Sequence, residues 1–281
     1  MVLAVAAAGC GTASPPGGSP GSAAPGGPPP RHWLLSTAAV RLLGQAGMTP
    51  QQLASVFDTP GTFLIRGGAT GADTEPAWHS QWTLTFPSVA ALSGALNGPR
   101  LDPRARAVIY DNEQWAMTPP AEQHDPARAE AQDAALAHAH HLQLIATPAT
   151  NLARVLAPGQ PVEPAYLRLG IAGDAARYAD VIDIQAQGSE TNTAAFAGFV
   201  TAAAAQARAA NPHVIVLAGI STNPTGHQVS AEQMRAAITA TAGTVDGYWL
   251  NIPAGGPSCP RCGQPQPQVA VAALHALYPG I

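Results

Sequence analysis

Short apolar runs return along this chain at a spacing of roughly thirty residues, the length of one strand, one helix and their connections. The runs fall at 32–35, 62–66, 82–86, 107–111, 142–146, 181–185, 214–218 and 245–251. Between them lie alanine-rich stretches of helical period: 37–46 continuing into 51–57, then 88–96, 126–141, 193–210 and 231–241, with 269–277 after the last run. Start signals mark several of these helices. Asp125 precedes Pro126, an N-cap before a first-turn proline, and Ser230 stands ahead of Glu232 and Gln233. Eight strand–helix units in series predict a (β/α)8 barrel, TIM-like, with parallel strands inside and helices outside. A doubly wound open sheet is the rival, but no strand leads into a dinucleotide-binding glycine fingerprint. The glycine-rich stretch 67–71 comes after the second run without the Lys-Ser/Thr that closes a phosphate loop, and reads as a flexible loop.

A chain of 281 residues suits one such barrel, and its 46% apolar content is ample for a core. Net charge is −4, and all thirteen basic residues are arginine. They are scattered, with only Arg100, Arg104 and Arg106 close together, which leaves no electrostatic footprint for nucleic acid or an anionic membrane surface. The barrel is expected over 32–281, behind a 10-residue apolar segment and a Gly/Pro/Ser/Ala linker over 11–31 that cannot bury apolar surface and is expected to be disordered. Ala7-Ala8-Gly9-Cys10 resembles the lipobox of bacterial lipoproteins. That resemblance implies acylation of Cys10 and a protein exported and held at the cell membrane by lipid alone; it departs from the pattern in that no positively charged n-region precedes Val2. No other stretch is long and apolar enough to span a bilayer.

In a barrel, active residues gather where the strands end. Those ends present Arg66, Asp111, Glu113, Thr147, Gln185, Gln187, Ser221 and Asn251. Side chains alternate along a strand, so Asp111 and Glu113 share one side, with Ile109 behind them and about 7 Å between their Cα atoms. In Val181-Ile182-Asp183-Ile184-Gln185-Ala186-Gln187 the even positions suit packing against helices, and the odd ones would line the interior. Polar residues there must be paired or must hold a ligand. The carboxylate pair fits glycosidic cleavage, in which one acid protonates the leaving oxygen and a second group stabilises or attacks the sugar carbon. Mutual repulsion raises one pKa toward neutrality, which suits Glu113 as acid beside a charged Asp111. Trp115 and Trp249 are candidate platforms for sugar rings, and Arg66, Gln185, Gln187 and Asn251 are candidate ligand contacts. The same strand-end pair can equally cap loops or pair with arginine.

A fourth strand ending Asp111-Asn112-Glu113, a polar end to the sixth strand and Tyr248-Trp249 on the eighth resemble the family-18 chitinase-type glycoside hydrolases. The resemblance implies Glu113 as acid, Asp111 orienting an N-acetyl group that acts as nucleophile, and Trp249 as the floor beneath the sugar. The family's further aspartates on that strand are replaced here by Arg106 and Ile109. The stretch from Tyr110 to Trp115, with Thr118-Pro119-Pro120 after it, also resembles uncharacterised secreted actinobacterial proteins.

Cys259 and Cys262 lie in a Pro-rich loop after the eighth strand, and a small structural disulfide is expected rather than a thioredoxin-type redox centre. His138, His140 and His141 lie on a helix outside the barrel with no carboxylate at ligand spacing, so neither a metal nor a cofactor is expected. Two functions stay open: a monomeric, surface-tethered glycoside hydrolase acting on an envelope or environmental polysaccharide, and a non-catalytic carbohydrate-binding or envelope-interaction protein on the same scaffold.

Overall fold

The computed structural model describes residues 30–66, 77–98, 101–256 and 259–281. Cys10, the lipobox-like segment, nearly all of the linker and the 67–71 loop lie outside them. Eight parallel strands close into a barrel in sequence order. They are β1 (His32–Ser36), β2 (Thr62–Ile65), β3 (Gln81–Phe86), β4 (Ala105–Tyr110), β5 (Gln143–Ala146), β6 (Val181–Ile184), β7 (Ile215–Ser221) and β8 (Gly247–Asn251). Around them run α1 (Thr37–Gln45), α2 (Pro50–Phe57), α3 (Val89–Leu96), α4 (Pro120–His124), α5 (Pro126–Ala139), α6 (Leu152–Leu156), α7 (Val162–Leu169), α8 (Ile171–Ala176), α9 (Thr193–Ala210), α10 (Ala231–Thr241) and α11 (Pro267–Leu277).

Local chemistry sets the boundaries. Ser36 ends β1 and its side chain at once accepts from Ala39 N at 3.0 Å, so strand passes into helix with no loop. Asp125 caps α5 through Arg128 N, and Ser230 forms a full capping box with Gln233 on α10. The barrel closes where β1 meets β8, and that seam needs a glycine. A Cβ on Gly247 would lie 2.0 Å from His32 O. The Pro-rich stretch 157–164 leads into α7 and then α8, which break at Gly170.

Alternation divides the apolar residues into two layers. Leu34, Phe63, Ala107, Ile109, Ile145, Val181 and Leu217 fill the barrel, joined by Ile65, Ile215 and Trp249. Their sequence neighbours Trp33, Leu35, Leu64, Val108, Leu144, Ile182 and Val216 face the helices. The two faces of the strands thus belong to separate cores, and the next inward position past the end of a strand emerges at the mouth. Trp33 packs edge-on against Phe57, and its indole N–H donates to the Tyr278 hydroxyl at 3.1 Å. His138 lies on the outer ring, its Nε2 2.8 Å from Asp180 Oδ2.

The helix-facing layer holds one discordant group. The face of α5 that its period turns inward carries Glu130 and Asp133, both buried and both without a hydrogen-bond partner. Beside them Glu122 Oε2 accepts from the Tyr110 hydroxyl at 2.9 Å. Burial, then the charge of Asp133, pushes Glu130 well above the usual carboxylate range. Burial, then Glu122, pushes Asp133 up to about 8.

Candidate functional site

The site is built where β4 runs out. Ala107 and Ile109 point into the barrel, and the backbone stays extended long enough for Asp111 N to donate to Phe86 O at 2.9 Å. Asp111 is therefore the next residue on the inward side, directly above Ile109. Thr147, one residue past β5, donates its hydroxyl to Asp111 Oδ1 at 3.0 Å. Gln185, one residue past β6, donates Nε2 to the same oxygen at 3.3 Å and to Thr147 O at 2.8 Å. The amides of Asn151 and Gln185 lie close enough to the Glu113 carboxyl to hold its pKa down against burial. Asn151 Oδ1 accepts from Gln114 N at 2.8 Å, which leaves its NH2 end for Glu113. Gln185 thus bonds Asp111 and lies near Glu113 as well.

The loop that carries Glu113 is tied down. Thr118 Oγ1 donates to Pro87 O at 2.8 Å and accepts the Trp115 indole N–H at 2.6 Å. Gln123 Nε2 donates to Trp115 O and Thr118 O at 2.8 and 2.7 Å. Such a loop holds its carboxyl in one place, as a group that reacts must be held.

Four acids stand at or just below the mouth, and burial separates them. Asp111 is pushed up to about 6 by burial, against the hydrogen bonds from Thr147 and Gln185. Glu113 is pushed up to about 7 by burial and then by the charge of Asp111, against Asn151 and Gln185. Asp183, inward-facing on β6 one step below Gln185, is 0% exposed and neither of its oxygens has a partner. Burial, then Asp111, pushes it well above the usual range. Glu190, in the β6–α9 loop, is also 0% exposed, but it is satisfied. Its Oε2 accepts from Gly188 N at 2.6 Å and its Oε1 from Ser221 N at 2.7 Å. Burial still pushes it up to about 7. Of the four, only Glu113 is more than marginally open to solvent.

The other residues singled out from sequence are distributed unevenly. Trp249 faces inward against the interior cluster and stays half-buried, while Tyr248 turns outward with its hydroxyl donating to Ile238 O at 2.7 Å. The Gln187 side chain lies flat against the inward face of β7, and a Cβ on Gly219 would meet it at 2.3 Å. Only glycine leaves that space. Ser221 Oγ, inward at the end of β7, is buried without a partner. Thr222 N donates to Asn251 O at 3.1 Å, which fixes the end of β8. Trp115 stands half-buried in the loop beside Glu113. Arg66 goes elsewhere: it lies two positions past outward-facing Leu64, and its guanidinium pairs with Asp102, which Arg104 also engages. It does not join the carboxylates. Cys259 and Cys262 form a disulfide.

Asn151 is the site residue that sequence reading passes over. It lies five positions beyond the fifth strand, outside the window that strand parity covers; an Asx side chain able to satisfy loop backbone is the only signal. Asn223 is passed over too. Its Nδ2 donates to Cys262 O, Gln264 O and Pro253 O at 2.7, 3.2 and 3.3 Å, latching the β7–α10 loop to the disulfide loop.

Among the described residues no three of His, Cys, Asp and Glu come together as a metal site. Enclosed space elsewhere, such as a cavity of about 220 Å³ lined by Glu130, Asp174 and Leu169, lies on the outer flank.

No family model and no curated protein matches the chain. Among solved structures, a curdlan-specific exo-beta-1,3-glucanase from Blastomyces gilchristii is similar at 15% identity over 86% of this chain and 97% of that one, with a TM-score of 0.44. Triosephosphate isomerase from Bartonella henselae is similar at 10% identity over 88% and 98%, with a TM-score of 0.46. A beta-1,3-glucanosyltransferase from Rhizomucor miehei is similar at 12% identity over 75% and 87%, with a TM-score of 0.42. The barrel itself is established by the closed strand order, not by these likenesses.

Proposed function

We propose that the protein is a glycoside hydrolase in which Glu113 is the general acid. The observation that carries this reading is a single half-open carboxyl at the barrel mouth, pushed up to about 7 and positioned by two amides. A carboxylic acid that keeps its proton near neutrality can give it to the glycosidic oxygen as the bond to the sugar carbon breaks. The leaving sugar departs as an alcohol, Glu113 becomes a carboxylate, and positive charge develops on the ring until a water adds to the sugar carbon and gives its proton back to Glu113. Asp111 stands beside Glu113 to stabilise that charge, with Thr147 and Gln185 fixing one of its oxygens. The half-buried rings of Trp249 and Trp115 offer stacking faces for pyranose rings. A lipid on Cys10 would hold the enzyme outside the cell membrane, facing envelope or environmental polysaccharide, and the Cys259–Cys262 disulfide is consistent with an oxidising compartment.

Release of reducing sugar from a panel of glycans, by wild type and Glu113→Gln, tests the proposal. The variant should lose about 10²–10⁴-fold, the usual contribution of a general acid. An unchanged rate refutes the role of Glu113.

One observation favours a second reading, a carbohydrate-binding protein without turnover. The acids that could serve as a nucleophile or base besides Asp111 are withdrawn: Asp183 is sealed inside the barrel and Glu190 is committed to two backbone N–H groups. Binding of a glycan by wild type with no bond cleavage would support it.

A further inference from the structure

The charges at the mouth do not balance. Asp111 faces Glu113 across Gln185 and faces Asp183 from above, and both neighbours feel its charge. Among the described residues, the groups set against Asp111 and Glu113 are neutral: the Thr147 hydroxyl and the amides of Gln185 and Asn151. The one arginine expected there, Arg66, is paired with Asp102 on the outer side of β2. Carboxylates removed from water are normally matched by a cation, and otherwise hold on to protons. Asp111 is pushed up to about 6 and Glu113 to about 7, so near neutrality Glu113 keeps much of its proton while Asp111 is largely ionised with no cation against it among the described residues.

The arrangement also has capacity to spare. Asp111 Oδ1 takes both donors, from Thr147 and Gln185, and Oδ2 is left toward the opening. Ser221 Oγ points inward at the rim, 2% exposed and unpartnered. Asp183 below is 0% exposed and unpartnered. Two buried polar side chains, Ser221 at the inward end of β7 and Asp183 beneath Asp111, are thus without partners among the described residues. A donor-rich, positively charged group is what the opening lacks. A metal ion fits poorly, because no three ligating side chains among the described residues come close enough to hold one. A uronic acid would add a further negative charge.

Resting on the glycoside-hydrolase reading, we propose that the sugar seated at this mouth carries a free amine, so that the ligand is a glycan of amino sugars whose ammonium group lies against Asp111. The ammonium would donate to Asp111 Oδ2 and supply the positive charge that the described residues do not.

Binding is read on the Glu113→Gln protein by calorimetry, with trisaccharides of glucosamine, N-acetylglucosamine and glucose. At about pH 7 and low salt the glucosamine trisaccharide should bind about tenfold more tightly than the other two, the scale of one partly buried charged hydrogen bond. The preference should shrink at about pH 5, where Asp111 takes up a proton, and shrink again in about 0.2 M salt. It should vanish in the Asp111→Asn/Glu113→Gln protein. Should the variants fold poorly, the wild-type protein with the monosaccharides glucosamine and glucose gives the same comparison. Equal affinities for the three ligands, absence of binding, or a preference that survives loss of Asp111 overturns the proposal. Turnover is scored separately: cleavage of a neutral glycan with no amine preference overturns the substrate class and leaves the hydrolase standing. Amine preference without cleavage by wild type does the reverse.

Discussion

Replacing Asp133 by asparagine should change the way stability depends on pH. Asp133 sits on the inward face of α5, 0% exposed, with neither oxygen hydrogen-bonded and its pKa pushed up to about 8 by burial. In the unfolded chain the same group ionises near 4. Below pH 4 both states hold the proton and the group contributes nothing to the slope. Between about 4 and 8 the unfolded chain releases the proton and the folded one keeps it, so stability falls as pH rises. The slope is about 1.4 kcal/mol per pH unit, or nearly 3 kcal/mol between pH 5 and pH 7. An asparagine in this place cannot titrate and removes that slope, whatever constant offset its amide brings. Glu130 stays in both proteins, and its own slope cancels from the comparison because Asp133 is neutral throughout this window. Urea unfolding of both proteins at pH 5, 6 and 7 reads the difference directly. A wild-type-minus-variant stability that stays flat to within about 0.5 kcal/mol over this range would refute the claim that Asp133 is buried as the neutral acid.

Single contacts set the other expected outcomes. Asp111→Asn removes the negative neighbour of Glu113, so the Glu113 pKa should fall below about 7 and the alkaline limb of the pH–activity profile should move to lower pH. Carbon-detected titration of the labelled carboxyl checks this even without turnover. Gly219→Ala places a methyl where the Gln187 amide lies; that flexible side chain should swing away, weakening ligand binding while the melting temperature changes little. Asn223→Ala removes an NH2 whose two hydrogens are shared among three loop carbonyls and should cost about 2 kcal/mol in chemical unfolding, at roughly 1 kcal/mol per N–H donor lost.

The barrel is legible because its signal is redundant. Helices 193–210 and 231–241 have the bounds expected from composition and caps, and the strand cores agree to within a residue or two at most ends. Strand parity puts Asp183, Gln185 and Gln187 on the inner side, and Val181 in the interior core with Ile182 and Ile184 in the outer one bears out the rule behind it. Parity loses its hold once the loop turns away from the strand direction. It cannot find Asn151, whose position depends on how the β5–α6 loop folds back on Gln114. Alternation does put Arg66 on the outer side of its strand, with Leu64, but its pairing with Asp102 is encoded by no periodicity. Glu130 and Asp133 are invisible for another reason. In sequence they look like the solvated face of an amphipathic helix, because acids at i and i+3 usually mark the wet side. Only the packing of α5 against β4 turns them inward.

The backbone of Arg31 donates to Asp246 O, at the end of the barrel opposite the carboxylates, so the chain enters the domain through its base. If a fatty acyl group is attached at Cys10, the whole molecule is moored by its underside. The attachment point and the open rim then lie at opposite ends of the barrel, so the tether would leave the rim unobstructed.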